Sequence, residues 1–295
     1  MATRDLNRMA DAGRWGDLLD FAAGPAPEDA RREAAHLVAF EAPASAAAAA
    51  AELFTDDRGY LGPLWEVASH HPWRDLDPHL TDPRIRSLVT QMRVLWGEDL
   101  RGSEDLTSMR PAAPLCLEPW EAAGWDEHEV PGYARRGRSG SVWACPPDLA
   151  DPARLPSTPA ASIDHPAVPV LAGLSTAAQA RAFRATAWEA ASATAPDECS
   201  AWEIPFSSAY SDLVHLASGD RAYGGASGRA VGRVALWTAL IAMAGTHDPR
   251  LVTGFVDRLR CVAWRQPAEP MMYVRLAMED PEQGVSWVLT AEDDD

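Results

Sequence analysis

Eleven prolines fall between residues 111 and 169, and they divide the chain into three stretches of different character. Proline fixes φ and removes a backbone donor, so neither a long helix nor a central strand runs through so dense a series. The same segment carries Trp120, Trp125, Tyr133 and Trp143, which is not the composition of a disordered linker. Ordered aromatic loops with a few short strands are therefore expected over 101–170. Long irregular segments of that kind are uncommon and are often functional.

On either side the hydrophobic pattern is regular. Residues 1–100 read as helices: Ala10 to Ala22, Pro27 to Phe40, the nearly pure alanine run Ala44 to Phe54, and Tyr60 to Ser69. Asp82-Pro83 places an N-cap and a first-turn proline ahead of Ile85, Leu88, Val89, Met92 and Leu95 at helical spacing. No fixed repeat period is visible, so a solenoid is not expected. In residues 171–295, Thr176 with Gln179 three residues on reads as a capping box opening a helix through Phe183, Ala187 and Trp188. Ala201 to Phe206 reads as a strand and Ser208 to Ala217 as a helix. Arg229 to Ala244 is the clearest helix, stopped by Gly245. Asp248-Pro249 starts another, with Leu251, Phe255, Leu259 and Val262 on one face. Met271 to Met278 and Val285 to Thr290 form a hairpin across Glu279–Gly284. The fold class expected is α+β: a helical N-terminal region, a Pro/Trp-rich irregular middle, and C-terminal helices packed on a small antiparallel sheet. The three stretches make one compact unit or two closely packed sub-domains.

Charge and residue usage exclude several functions. The chain has 26 arginines and no lysine, which removes a Schiff-base lysine and the lysine of a phosphate-binding P-loop. The formal charge is −17, spread over both halves: 15 arginines against 25 acids in 1–150, and 11 against 18 in 151–295. No half is basic, so phosphate-driven nucleic-acid binding is not expected. An acidic surface repels anionic membranes and attracts a basic protein partner. Cys116, Cys145, Cys199 and Cys261 are widely spaced, without a zinc pattern, and are expected to be reduced. The amphipathic start lacks the apolar core of a signal peptide, and the longest apolar run, Val234 to Ala244, is too short to span a bilayer. A cytoplasmic protein is expected.

Three groups of residues invite chemistry. Gly224, Gly225 and Gly228 free the backbone before a helix N-terminus, where unpaired N–H groups favour an anion. Arg229, Arg233 and Trp237 follow at i, i+4 and i+8, so two guanidiniums beside an indole face one way and suit a carboxylate or phosphate. The same pattern reads structurally. Gly228, Gly232, Ala235 and Ala239 make a small-residue face for close packing, with the arginines paired to core carboxylates such as Asp257 or Glu203. The spacing does not fit a dinucleotide-binding fingerprint. The second group is Trp120 to Glu129, which gathers Glu121, Asp126, Glu127, Glu129 and His128 around Trp120 and Trp125. Carboxylates beside aromatic rings suit glycoside cleavage or a raised pKa, and equally suit a solvated loop anchored by its tryptophans. The third, His70 to His79, holds three histidines and two aspartates but no helical ligand pair, and its prolines make it a turn. No metal site and no cofactor are assigned, and no nucleophile elbow is present.

Residues from about 85 to 295 resemble an uncharacterised actinobacterial domain family. The matching marks are Gly97-Glu98-Asp99-Leu100, Pro119-Trp120-Glu121 before Pro131-Gly132-Tyr133, Gly224-Gly225-Ala226-Ser227-Gly228-Arg229, Trp237, Trp264 and the acidic Glu292–Asp295. The resemblance implies no activity, cofactor or catalytic residue. Two function classes stay open. One is a non-catalytic interaction protein, immunity-like or regulatory. The other is an enzyme or small-molecule binder holding an anionic ligand with Gly224, Gly225, Gly228, Arg229, Arg233 and Trp237 against the Trp120 and Trp125 segment.

Overall fold

The computed structural model describes residues 3–53, 63–103, 105–106, 113–124, 132–134, 137–139, 153–156, 160–196, 198–219, 228–266 and 272–293. The chain divides into two units, one of Met1–Pro111 with Glu127–Ser141, the other of Ala112–Asp126 with Val142–Asp295. The proline-rich middle is thus shared between them.

The first unit is helical: α1 (Thr3–Asp11), α2 (Trp15–Ala23), α3 (Glu28–Glu41), α4 (Ala44–Ala51), α5 (Leu64–His70), α6 (Trp73–Leu76) and α7 (Pro83–Leu95). Helix α3 is its centre, packed against α1, α2, α4 and α5, and it buries Ala34, Ala35, Leu37, Val38 and Ala39. In α4 the alanines do more than favour helix. Ala47, Ala48, Ala50 and Ala51 are all fully buried, and their size lets neighbouring helices approach closely. Helix α7 begins as its sequence predicts, with the Asp82 carboxylate accepting from Arg84 N–H (2.7 Å) and Ile85 N–H (3.2 Å). A short antiparallel pair, β1 (Gly132–Ala134) and β2 (Gly137–Ser139), also belongs here.

The second unit contains α8 (Pro119–Gly124), β3 (Ser162–Ile163), α9 (Ala167–Ala172), β4 (Ala178–Phe183), α10 (Ala187–Ser192), β5 (Ser200–Ile204), α11 (Phe206–Ala217), α12 (Arg229–Ala244), α13 (Pro249–Arg258), β6 (Arg260–Arg265), β7 (Met272–Asp280) and β8 (Val285–Asp293). The strands form one antiparallel sheet in the order β3-β4-β8-β7-β6-β5. The α+β class is therefore the observed one. No helix among the described residues is long and apolar enough to cross a membrane.

Two local expectations are corrected. Residues 178–183 form strand β4, not a helix opened at Thr176. The capping box lies ten residues later, where Thr186 Oγ1 accepts from Glu189 N–H and Glu189 reaches back to Thr186 N–H. The helix begun at Asp248 ends at Arg258, because Leu259 is extended (φ −60°, ψ 134°), and Val262 belongs to β6.

Strand pairing sorts the side chains onto two faces. Phe183, Val288, Ala277, Val262, Trp264 and Ala201 share one face and pack with Ala187, Ala190 and Ala191 of α10. Trp287, one residue out of phase with Val288, lies on the other. There its ring meets Phe255 of α13 (6.0 Å between centroids) and His165 (5.0 Å). Helices α9 and α11 also contact the sheet, and α12 packs on α9, α11 and α13. Glycine sets the closeness of α11 and α12: a Cβ on Gly232 would stand 2.2 Å from the Val214 carbonyl oxygen. The close-packing role expected of Gly232 is thus present in the fold.

Candidate functional site

Helix α8 has six residues, and its Glu121 is fully buried between α11 and α12. Five hydrogen bonds converge on that carboxylate. Oε1 accepts from the Tyr210 hydroxyl (2.6 Å), Arg233 Nε (2.8 Å) and Trp237 Nε1 (3.0 Å). Oε2 accepts from Arg233 Nη2 (2.8 Å) and the Glu118 N–H (2.9 Å). Arg233, also fully buried, places two further donors on the carbonyls of Pro114 (2.9 Å) and Cys116 (3.0 Å). Trp120 closes the group from the side, its ring edge-to-face with Phe206 (5.5 Å) and Tyr210 (5.3 Å) and tilted against Trp237 (5.5 Å).

The electrostatics follow from that packing. Burial alone would push the Glu121 carboxyl upward. The charge and hydrogen bonds of Arg233, with the Glu118 N–H and the Tyr210 hydroxyl, outweigh it and hold the group below the usual carboxylate range. Burial and the neighbouring Glu121 charge drive the Tyr210 phenol far above its ordinary value. Burial opposes the Arg233 charge, but Glu121 more than restores it. Glu121 is therefore a fixed anion with its acceptor positions occupied. That makes it a poor general base and an effective tie between α8, α11 and α12.

The residues nominated from the sequence are thus partly brought together. Arg233 and Trp237 meet Trp120 and Glu121, joining the first and second candidate groups. The partner of Arg233 is Glu121, neither Asp257 nor Glu203. Gly228 caps α12 with φ 95°, a backbone that suits glycine. Arg229 is 3% exposed, and its Nη1 donates to Ser218 Oγ (2.9 Å). Gly224, Gly225, Trp125 and residues 126–129 lie outside the described residues.

The histidine-rich stretch is not gathered around a centre. Trp73–Leu76 forms α6, and Trp73 N–H donates to Glu98 Oε2 (3.1 Å). Burial and the neighbouring His70 lower the His71 pKa. Among the described residues no group of three or more His, Cys, Asp or Glu is placed to hold a metal.

One set of residues escaped the sequence reading. Arg275 lies within β7 between Val274 and Leu276, so it faces away from them, and it is 3% exposed. Its Nε donates to Glu292 Oε1 at 2.9 Å, and its guanidinium carbon lies 4.5 Å from the centre of the Tyr273 ring. The available signal was the alternation itself: a charged side chain in phase with Tyr273 and Ala277 belongs on a covered face. Compared with known protein families, curated proteins and solved structures, the chain matches none.

Proposed function

We propose that this chain is a non-catalytic interaction protein that presents an acidic surface to a basic protein partner. The observation that carries the reading is where the positive charge goes. Arg233 is fully buried on Glu121, Arg86 and Arg93 are largely buried on Asp77 and Glu98, and Arg258, half-buried, is held on the buried Asp280. Each such pair withdraws an arginine from the surface of a chain that already holds 43 acids against 26 basic residues. The carboxylates left outside therefore outnumber the exposed guanidiniums by a larger ratio than composition alone gives. Such a field speeds encounter with a cationic partner and selects its sign.

The non-catalytic part of the reading is supported by Glu121. It is one of the acids gathered beside Trp120 in the sequence, and its lone pairs are taken up by structural donors. For Arg233 to grip an external anion it would have to release Glu121 inside the core, leaving a buried charge unpaired, at a cost of about 3–5 kcal/mol. An intracellular setting belongs to the same reading, supported by Cys199 and Cys261, which are free thiols.

The test is size-exclusion chromatography with light scattering of the purified chain mixed with small basic proteins expressed from the same genome. A stoichiometric complex that survives physiological salt supports the proposal. Association that never saturates and vanishes at about 0.15 M salt, where the screening length is ~8 Å, would sink it.

A further inference from the structure

We infer that the second unit carries a binding site for a short peptide, in the groove between α9 and the uncovered edge of β4. The groove measures about 710 Å³, within the ~300–1,000 Å³ range of ligand pockets. It opens because β3 stops early. Ser162 and Ile163 pair with Phe183 and Ala182, and the chain then turns at Pro166 into α9. Strand β4 begins at Ala178, so Ala178 to Arg181 have no strand beside them on that side among the described residues.

The register fixes where the backbone groups point. Arg184 N–H donates to the Ala161 carbonyl (3.1 Å), toward β3. In an antiparallel strand the N–H and C=O of one residue point the same way, and successive residues alternate. Those of Ala180 therefore also turn away from β8, toward the groove that Ala180 lines. No described residue bonds either group. The groove thus lies where a continued β3 would have set His165 opposite Ala180.

His165 adds a donor of fixed sense. Its Nδ1 accepts from Ala167 N–H (3.2 Å) and Trp287 Nε1 (3.1 Å), so the ring proton sits on Nε2. Burial lowers its pKa, which keeps the ring neutral. His165 lines the groove, and its Nε2 neither bonds a described residue nor is closed off from solvent. A backbone N–H, a backbone C=O and an imidazole N–H together match an extended peptide, which answers with carbonyls and an N–H. Charge agrees with that choice. Asp164 and Arg181 both line the groove with opposite sign and His165 is neutral, so a ligand without net charge fits better than an ion. Length sets the size. The uncovered stretch from Ala178 to Arg181 spans about 13 Å at ~3.3 Å per residue, room for roughly three peptide residues. A second copy of the chain does not fit edge to edge, because its Ala178 would meet the β3 that already holds Ala182.

The test is a titration of the ¹⁵N-labelled chain with trialanine, its N-acetylated amide, acetate, inorganic phosphate and a nonapeptide with trialanine at its centre. The Ala180 amide and the His165 ring nitrogens are followed. Both tripeptide forms are expected to shift the Ala180 signal saturably, with a Kd of about 1 mM or below, and the His165 ring to show the Nε2–H tautomer throughout. Ala180→Pro removes an N–H that holds no ladder bond, so the melting temperature should stay close to that of the wild type. Binding should weaken about fivefold to tenfold, the worth of one hydrogen bond. His165→Asn keeps an acceptor for Ala167 and Trp287 but removes the Nε2–H, and should weaken binding by a similar factor with the Trp287 indole signal in place. Either variant decides if the other fails to fold. The inference is overturned by no saturable shift with either tripeptide, by an equal shift with acetate or phosphate, or by a His165 Nδ1–H tautomer. Wild-type affinity in a folded Ala180→Pro or His165→Asn variant overturns it too. So does a nonapeptide that binds more than about tenfold more tightly than the tripeptides, since that marks a protein strand as the occupant.

Discussion

Replacing Glu121 by glutamine keeps the side chain's shape and removes its charge. Of the five hydrogen bonds the carboxylate accepts, those on one oxygen survive. The other oxygen becomes an amide donor facing Arg233 Nη2 and the Glu118 N–H, both themselves donors. Arg233, with no exposed surface, is left as a buried cation without its counter-charge. Removing one partner of a buried pair costs about 3–5 kcal/mol, a large share of the ~5–15 kcal/mol that holds a domain folded. The unit concerned comprises Ala112–Asp126 and Val142–Asp295, and at roughly 2–4 °C per kcal/mol for a unit of that size its melting temperature should fall by roughly 6–20 °C. Differential scanning calorimetry, with urea unfolding followed by tryptophan fluorescence, measures this directly. The double variant Glu121→Leu with Arg233→Met should recover most of the loss, because a well-packed apolar pair avoids desolvating either charge. If Glu121→Gln costs less than about 1 kcal/mol, a neutral-pair value, the description of this cluster as a charged structural tie is wrong.

Three further outcomes follow from the structure. The Glu121 carboxyl lies below its ordinary value in the folded state, so its stabilisation is complete above the unfolded carboxylate pKa and is lost as pH falls through the folded one. Acid unfolding curves of the wild type should therefore be steeper than those of the Leu/Met double variant. Gly232→Ala drives a methyl group into the Val214 carbonyl, and overpacking of about 1–3 kcal/mol should appear in urea midpoints unless α11 and α12 move apart. The Cys261 thiol, pushed up to about 12 by burial and then by the Glu203 charge, should react with a thiol reagent only after unfolding; modification of the native protein at neutral pH would contradict its burial.

Much of the fold was legible where local signals and tertiary packing agree. Helix α12 matches its expected limits because Gly228 and Gly245 both take left-handed backbone at its ends. The β7–β8 hairpin was recognisable from Asp280 to Gly284, where Gly284 again has positive φ. Strand β4 was not, because Ala178, Ala180 and Ala182 favour helix and Thr176 with Gln179 imitates a cap. Pairing with β8 across more than a hundred residues overrides both. Strand β6 was hidden for a related reason, since Val262 continues the helical spacing of Phe255 and Leu259 although the backbone has already turned. In the candidate site, Arg233 and Trp120 were each visible as residues of interest. Their meeting depends on contacts such as Arg233–Glu121, 112 residues apart, which no local pattern encodes. Arg275 went unnoticed because an arginine in a strand resembles a solvent-facing one until the sheet shows which face is covered.

The order of strands has a consequence for synthesis. Strand β8, latest in the sequence, lies in the interior of the sheet between β4 and β7. A ribosome delivers β4 long before β8, so the emerging chain carries β4 paired only with the two-residue β3 and packed against α9 until residues 285–293 clear the exit tunnel. Sheet closure in this unit therefore waits on residues 285–293. During that interval the open flank of β4 is the natural target of a chaperone or of another nascent chain.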